Sequence, residues 1–200
     1  MRYLKKFNEE RYLRIFEYFN DIENIDYICE KYDIIDYTIN SDRSIDVDNI
    51  INLFNRNLRK LPLKFNKVNG DFSCHCNMLI TLEGSPIEIN GGFYCNNNQL
   101  TSFEFTPKII RGDFYCTCNN IKTFEYYPSF VKGDFSCSDN PIFWVWVLFI
   151  DDSKIELLND FDIFRDEDTD EPVIIMDRLN DFLLTIVKDP VKKVDRYKNI

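Results

Sequence analysis

A five-residue word, Gly-x-Phe-x-Cys, recurs in this chain at Gly70, Gly91, Gly112 and Gly133, 21 residues apart each time. A fixed period of this length marks a chain that stacks one small unit on the next. Agreement extends beyond the word. Aligned on the glycine, the third place is Phe72, Phe93, Phe114 and Phe135, and the fifth is Cys74, Cys95, Cys116 and Cys137. The eighth is Asn77, Asn98, Asn119 and Asn140; the tenth is Leu79, Leu100, Ile121 and Ile142. The thirteenth is Leu82, Phe103, Phe124 and Val145. Glu83, Glu104 and Glu125 fill the fourteenth place, and Pro86, Pro107 and Pro128 the seventeenth. An aliphatic residue, Val68, Ile89, Ile110 or Val131, stands two places before each glycine or the place it would next occupy. A leading copy without the glycine starts near Asn49 and puts Ile51, Leu53, Leu58, Leu61 and Val68 in the apolar columns.

Alternation along a strand sends the third and fifth places to one side and their neighbours to the other. One coil cannot bury its Phe, Cys and Leu alone, but stacked coils bury them against each other. The Asn column falls where the strand ends and the chain bends, so it is expected to satisfy backbone groups of the turn. Proline at the seventeenth place has no amide donor and fits an irregular outer arc.

The pattern Phe-x-Cys-x-x-Asn-x-Leu-x-x-Leu resembles the leucine-rich repeat. The short period and Leu58 to Pro62 resemble the short bacterial class found in effectors of Gram-negative pathogens, and the Gly-Asp-Phe-x-Cys wording resembles small repeat proteins encoded by large tailed bacteriophages. The resemblance covers residues 45–142, with Phe and Cys where that family has leucines. It implies an α/β repeat solenoid: a short leucine-rich-repeat-like stack of four to five coils with a parallel concave sheet, capped by helices at both ends.

Hydrophobic content of 44% and aromatic content of 16% suit a folded chain rather than a disordered one. The charged start, Met1 to Arg14, predicts no signal peptide. The longest apolar run, Ile142 to Ile150, is far short of the roughly 20 residues that cross a bilayer. These features predict a cytoplasmic protein, in the host cytoplasm if phage-encoded, with a virion location as the alternative. Four of the seven cysteines share one inward column and the count is odd, which predicts reduced thiols rather than a disulfide scaffold. The net charge of −10 is uneven. Residues 151–171 hold ten acids and two bases, whereas 49–150 hold eight and nine. An acidic balance argues against nonspecific nucleic-acid binding.

The chain divides as one structural unit into an N-terminal helical and hairpin cap (1–48), the solenoid (49–141) and a C-terminal aromatic and helical cap (142–200). Glu9 to Asp21 and Ile25 to Ile35 read as helices, and Tyr37 to Ile39 with Ile45 to Val47 as a hairpin. After Asn140-Pro141 the register is lost, and Phe-Trp-Val-Trp-Val-Leu-Phe is expected to pack over the last coil. Lys154 to Phe164 and Pro172 to Val187 read as helices, the second with start signals at Asp170 and Pro172. Lys188 to Ile200 reads as a surface tail.

No catalytic set can be named. The one histidine, His75, lies between Cys74 and Cys76, but Cys74 belongs to the inward column and His75 points the other way. Cys74-x-Cys76 and Cys116-x-Cys118 are two coils apart, roughly 10 Å, too far for one zinc ion. No metal, cofactor or enzymatic activity is expected. The outward places instead make a candidate binding face: Asp71, Ser73, His75, Tyr94, Asn96, Asp113, Tyr115, Thr117, Asp134 and Ser136, with the two tyrosines adjacent at its centre. The leading expectation is a non-enzymatic protein-protein interaction module, without nucleic-acid or membrane partners. The alternative is a structural virion or assembly component docking through its acidic flanks and aromatic cap.

Overall fold

The computed structural model describes residues 24–165, 173–195 and 197–200. A helix over residues 24–31 (α1) precedes an antiparallel hairpin of β1 (Tyr37–Ile39) and β2 (Ile45–Val47), in register Thr38 to Asp46. This matches the expected second helix and hairpin; the helix expected over Glu9 to Asp21 lies outside the described residues. From there the chain lays down two strands per coil. They are β3 (Ile51–Asn52), β4 (Phe65–Val68), β5 (Phe72–Ser73), β6 (Glu88–Ile89), β7 (Phe93–Tyr94), β8 (Ile109–Ile110), β9 (Phe114–Tyr115), β10 (Phe130–Val131) and β11 (Phe135–Ser136).

The odd and even strands form separate sheets. One runs β11-β9-β7-β5-β3, all parallel, and aligns Phe72, Phe93, Phe114 and Phe135. The other runs β1-β2-β4-β6-β8-β10, parallel from β2 onward, and aligns Val47, Val68, Ile89, Ile110 and Val131. The leading copy takes its place, with Ile51 opposite Phe72. The 21-residue period is therefore the length of one turn of a parallel-stranded solenoid.

The second sheet corrects the expectation of one sheet with an irregular outer arc. Pro86, Pro107 and Pro128 are buried and stand just before β6, β8 and β10. A strand entrance tolerates proline, because the missing donor falls outside the ladder. The β-branched residue three places later then packs inward.

Between the sheets lies the core. Phe72, Phe93 and Phe114 are fully buried, and successive rings from Phe72 to Phe135 lie 5.8, 5.6 and 5.4 Å apart. Burial of each such ring contributes about 2–3 kcal/mol. Cys74, Cys95, Cys116 and Cys137 fill the adjoining column, and all seven thiols are unbridged.

The Asn column does what its position requires. Asn98 Nδ2 donates to the carbonyls of Cys74 and Cys95 (3.1 Å each), and its Oδ1 accepts from Leu79 N–H at 3.0 Å. Asn77, Asn119 and Asn140 repeat this arrangement one coil before, one after and two after.

Beyond the fourth copy come α2 (Phe143–Trp146), a 3-10 turn at Asp152–Lys154, α3 (Ile155–Asp160), β12 (Phe164–Arg165), β13 (Val173–Ile174), α4 (Met176–Thr185) and β14 (Lys198–Asn199). The apolar run meets the last coils, with Trp146 edge-on to Phe135 at 5.0 Å and Phe149 against Phe124 at 6.0 Å. The helix expected over Lys154 to Phe164 is shorter, because Asp162 adopts φ 47° and the chain turns into β12. The helix expected from Pro172 begins only at Met176. Val173 and Ile174 form a buried strand, as suits two adjacent β-branched-rich positions. Asp170 and Pro172 lie outside the described residues. Lys188 to Ile200 is not a loose tail: Val194 and Tyr197 are buried, and β14 pairs with β13. No described helix is long and apolar enough to cross a membrane.

Candidate functional site

Each word turns its Phe and Cys into the core, so the places between them face outward along the β3-β11 sheet. Register aligns Ser73, Tyr94, Tyr115 and Ser136 in one row across the strands. The ten residues singled out from the sequence lie in the outward columns of this sheet. Tyr94, Tyr115, Ser73 and Ser136 are half-buried, while the flanking Phe and Cys of the two central coils are sealed.

The tyrosines meet edge to face, with ring centroids 5.6 Å apart and planes at 72°. Gly92 makes this possible. It stands where the other coils have Asp71, Asp113 and Asp134, and a Cβ there would overlap Tyr94, whose ring Cζ would be only 2.6 Å away. Tyr94 folds back over the gap.

The aspartates link neighbouring coils. Asp71 Oδ1 accepts from Gly92 N–H at 2.7 Å, and Asp113 Oδ1 accepts from Asp134 N–H at 2.9 Å. Burial first, then the charges of Asp71 and Asp113, raises the pKa of Tyr94. For Tyr115 the charge of Asp113 is the largest cause of the same upward shift, ahead of burial and Asp134. Both phenols therefore stay protonated and able to donate at neutral pH.

His75 is half-buried. Its Nδ1 lies 2.6 Å from Ser73 Oγ and its ring stacks on Phe54 at 4.4 Å. Burial lowers its pKa below the ordinary 6.5. Cys74 faces the core, and burial pushes its thiol up to about 12, which makes it a poor nucleophile beside the ring. Cys76 and Cys118 sit with Asn55, Asn97 and Asp139 in a column of left-handed turn residues, φ 52° to 56°.

Two parts of this face escape sequence reading. At one end Phe54 extends it, from the outward sixth place of the leading copy. At the other end Trp146, Ile150, Asp151 and Asp152 rise beside Tyr115 and Asp134 and enclose an open groove of about 600 Å³. The aromatic run after Asn140-Pro141 signals Trp146, but nothing in the repeat places it against the face.

Another groove, about 670 Å³, lies on the far arc among Leu61, Leu63, Ile87, Phe105, Lys60 and Lys108. It is more apolar and larger, and at its rim Asp42 accepts from Ser44 Oγ and Lys64 Nζ at 2.6 Å each. The repeat's Lys67, Lys108, Arg111 and Lys132 belong to the second sheet and its corners, and Arg111 pairs with Glu88 at 2.8 Å. None of the outward places of the β3-β11 sheet holds a lysine or arginine. Compared with protein-family models, curated proteins and solved structures, the chain has no significant match.

Proposed function

We propose that this chain is a non-enzymatic interaction module that holds a protein partner against the outer face of the β3-β11 sheet. The observation that carries the reading is the Tyr94–Tyr115 pair, half-exposed and edge to face at the centre of a polar face. Two rigid rings offer a large contact area at low entropy cost, and their hydroxyls remain donors. The surrounding Ser73, Asn96, Thr117 and Ser136 supply a polar rim. Backbone hydrogen bonds between coils hold all of these side chains in fixed register, which reduces the ordering cost of binding.

The repeat wording supports the finer assignment to a short leucine-rich-repeat type, phage-encoded and acting in the host cytoplasm. The test is affinity capture from that host. Tyr94→Ala with Tyr115→Ala should abolish retention of the partner while circular dichroism and the unfolding midpoint stay near wild type. Retention unchanged by the double variant would overturn the reading.

A further inference from the structure

We propose that the partner presents a basic segment, and that an arginine or lysine side chain from it enters the groove between Tyr115 and Asp134 on one wall and Trp146, Ile150, Asp151 and Asp152 on the other. This rests on the docking reading above and names the chemistry of its partner.

Three observations carry it. First, charge is segregated. The outward places of the sheet hold Asp71, Asp113 and Asp134 and no cationic side chain, although residues 49–150 as a whole are nearly neutral. The compensating Lys67, Lys108 and Lys132 are on the other sheet and its corners. A face of one sign selects partners of the opposite sign and speeds their encounter. His75 adds no charge at neutral pH, because its burial favours the neutral ring.

Second, the groove combines carboxylates with aromatic faces. Trp146 is braced edge-on by Phe135 at 5.0 Å and by Phe149 at 5.2 Å, so its position is set before any partner arrives. Tyr115 stands opposite. A cation over a Trp or Tyr ring, with a carboxylate beside it, gains from both.

Third, the lip is apolar and exposed. Ile150 is 68% exposed and held at φ 47°, an unusual backbone for a β-branched residue. The methylene stem of a long basic side chain would cover it while the charged head reaches Asp134 or Asp152.

The probe is an acetylated, amidated octapeptide alternating arginine and serine, with a glutamate-serine peptide as control. In a Trp144→Phe background the emission of Trp146 reports on the groove alone. The basic peptide should shift that emission saturably, with an affinity that falls as salt rises; the acidic peptide should not. Asp134→Asn with Asp152→Asn should weaken binding about tenfold. The charge-matched pair Glu104→Gln with Glu125→Gln, off the face, should leave it nearly unchanged. A silent Trp146, or equal losses in the two pairs, overturns the proposal. The two readings separate in captures of the native partner. Loss with the tyrosine pair but not with the aspartate pair keeps the docking face and refutes the basic segment. Loss with the aspartate pair alone keeps the groove and refutes the wider face.

Discussion

The eighth-place asparagine ties each coil to the one before it. Asn98 satisfies a donor and two acceptors in a buried setting. Asn98→Ala should therefore cost about 2–4 kcal/mol in urea unfolding, because unpaired buried polar groups forfeit their solvation. Asn98→Asp should be no better: its carboxylate would face the Cys74 and Cys95 carbonyls that the amide now donates to. Its neighbour Asn97, exposed at φ 55°, makes the contrast. Asn97→Gly should be neutral or slightly stabilising, since glycine adopts that backbone freely. A clear loss of stability in that variant would refute the reading of this column as a conformational one. His75 supplies a pH-dependent term. Its folded pKa lies below the unfolded 6.5, so the native state binds fewer protons than the unfolded chain. Its contribution is present above about pH 6.5 and is lost as pH falls through the folded value. His75→Gln should flatten the unfolding free energy against pH in that window, and a slope identical to wild type would sink the assignment.

At the scale of the strand and its corner, the glycine word is a device for close stacking rather than for a turn with positive φ. A Cβ on Gly112 would lie 2.6 Å from Gly92 N and 2.7 Å from Gly91 C, backbone atoms of the preceding coil that cannot move independently. Gly112→Ala should thus strain both sheets and lower stability by about 1–3 kcal/mol, within the range of overpacking. Gly92→Ala meets the Tyr94 ring instead, a side chain that can rotate away. It should leave the unfolding midpoint close to wild type while weakening partner capture by displacing Tyr94; equal destabilisation by the two variants would contradict this geometry. These elements were legible in unequal measure. Alternation in Gly-x-Phe-x-Cys placed Phe93 and Cys95 inside and Tyr94 outside, so the ten-residue face followed from register alone. The second sheet did not follow, because Glu88–Ile89 and its equivalents are two-residue strands behind a proline, too short to display alternation. Phe54 was hidden by a leading copy that lacks the Gly-x-Phe-x-Cys word, with Asn49, Ile51 and Leu53 in its places. The groove wall was hidden for a different reason: Trp146 to Asp152 lie beyond the repeat, and only tertiary packing returns them to the sheet.

For the molecule as a whole, the question is whether the stack unfolds coil by coil or as one body. Solenoids with only nearest-neighbour contacts can open from an end. Here one continuous buried cluster runs from Ile25 to Tyr197. Segments far apart in sequence are tied to the coil that starts at Gly112 by Tyr197 Oη donating to Lys122 O at 2.7 Å and by Asn159 Nδ2 donating to Phe124 O at 3.2 Å. Those ties predict one cooperative transition, and the cysteines report on it position by position. Burial pushes Cys29 to about 11, Cys74 and Cys137 to about 12, and Cys95 and Cys116 well above the ordinary thiol value. Since the thiolate is the reactive form, these five should resist alkylation in the native protein at pH 8. Cys118 is exposed and Cys76 half-buried, so these two should take label in the native protein, with Cys118 slowed because partial burial and then the charge of Asp139 raise its pKa. Pulsed alkylation across a urea series, read by mass spectrometry, then separates the two modes. A cooperative body exposes Cys74, Cys95, Cys116 and Cys137 at one urea concentration. A fraying stack exposes Cys137 or Cys74 before the central pair, and that order would show the flanking ties to be weaker than their hydrogen bonds suggest.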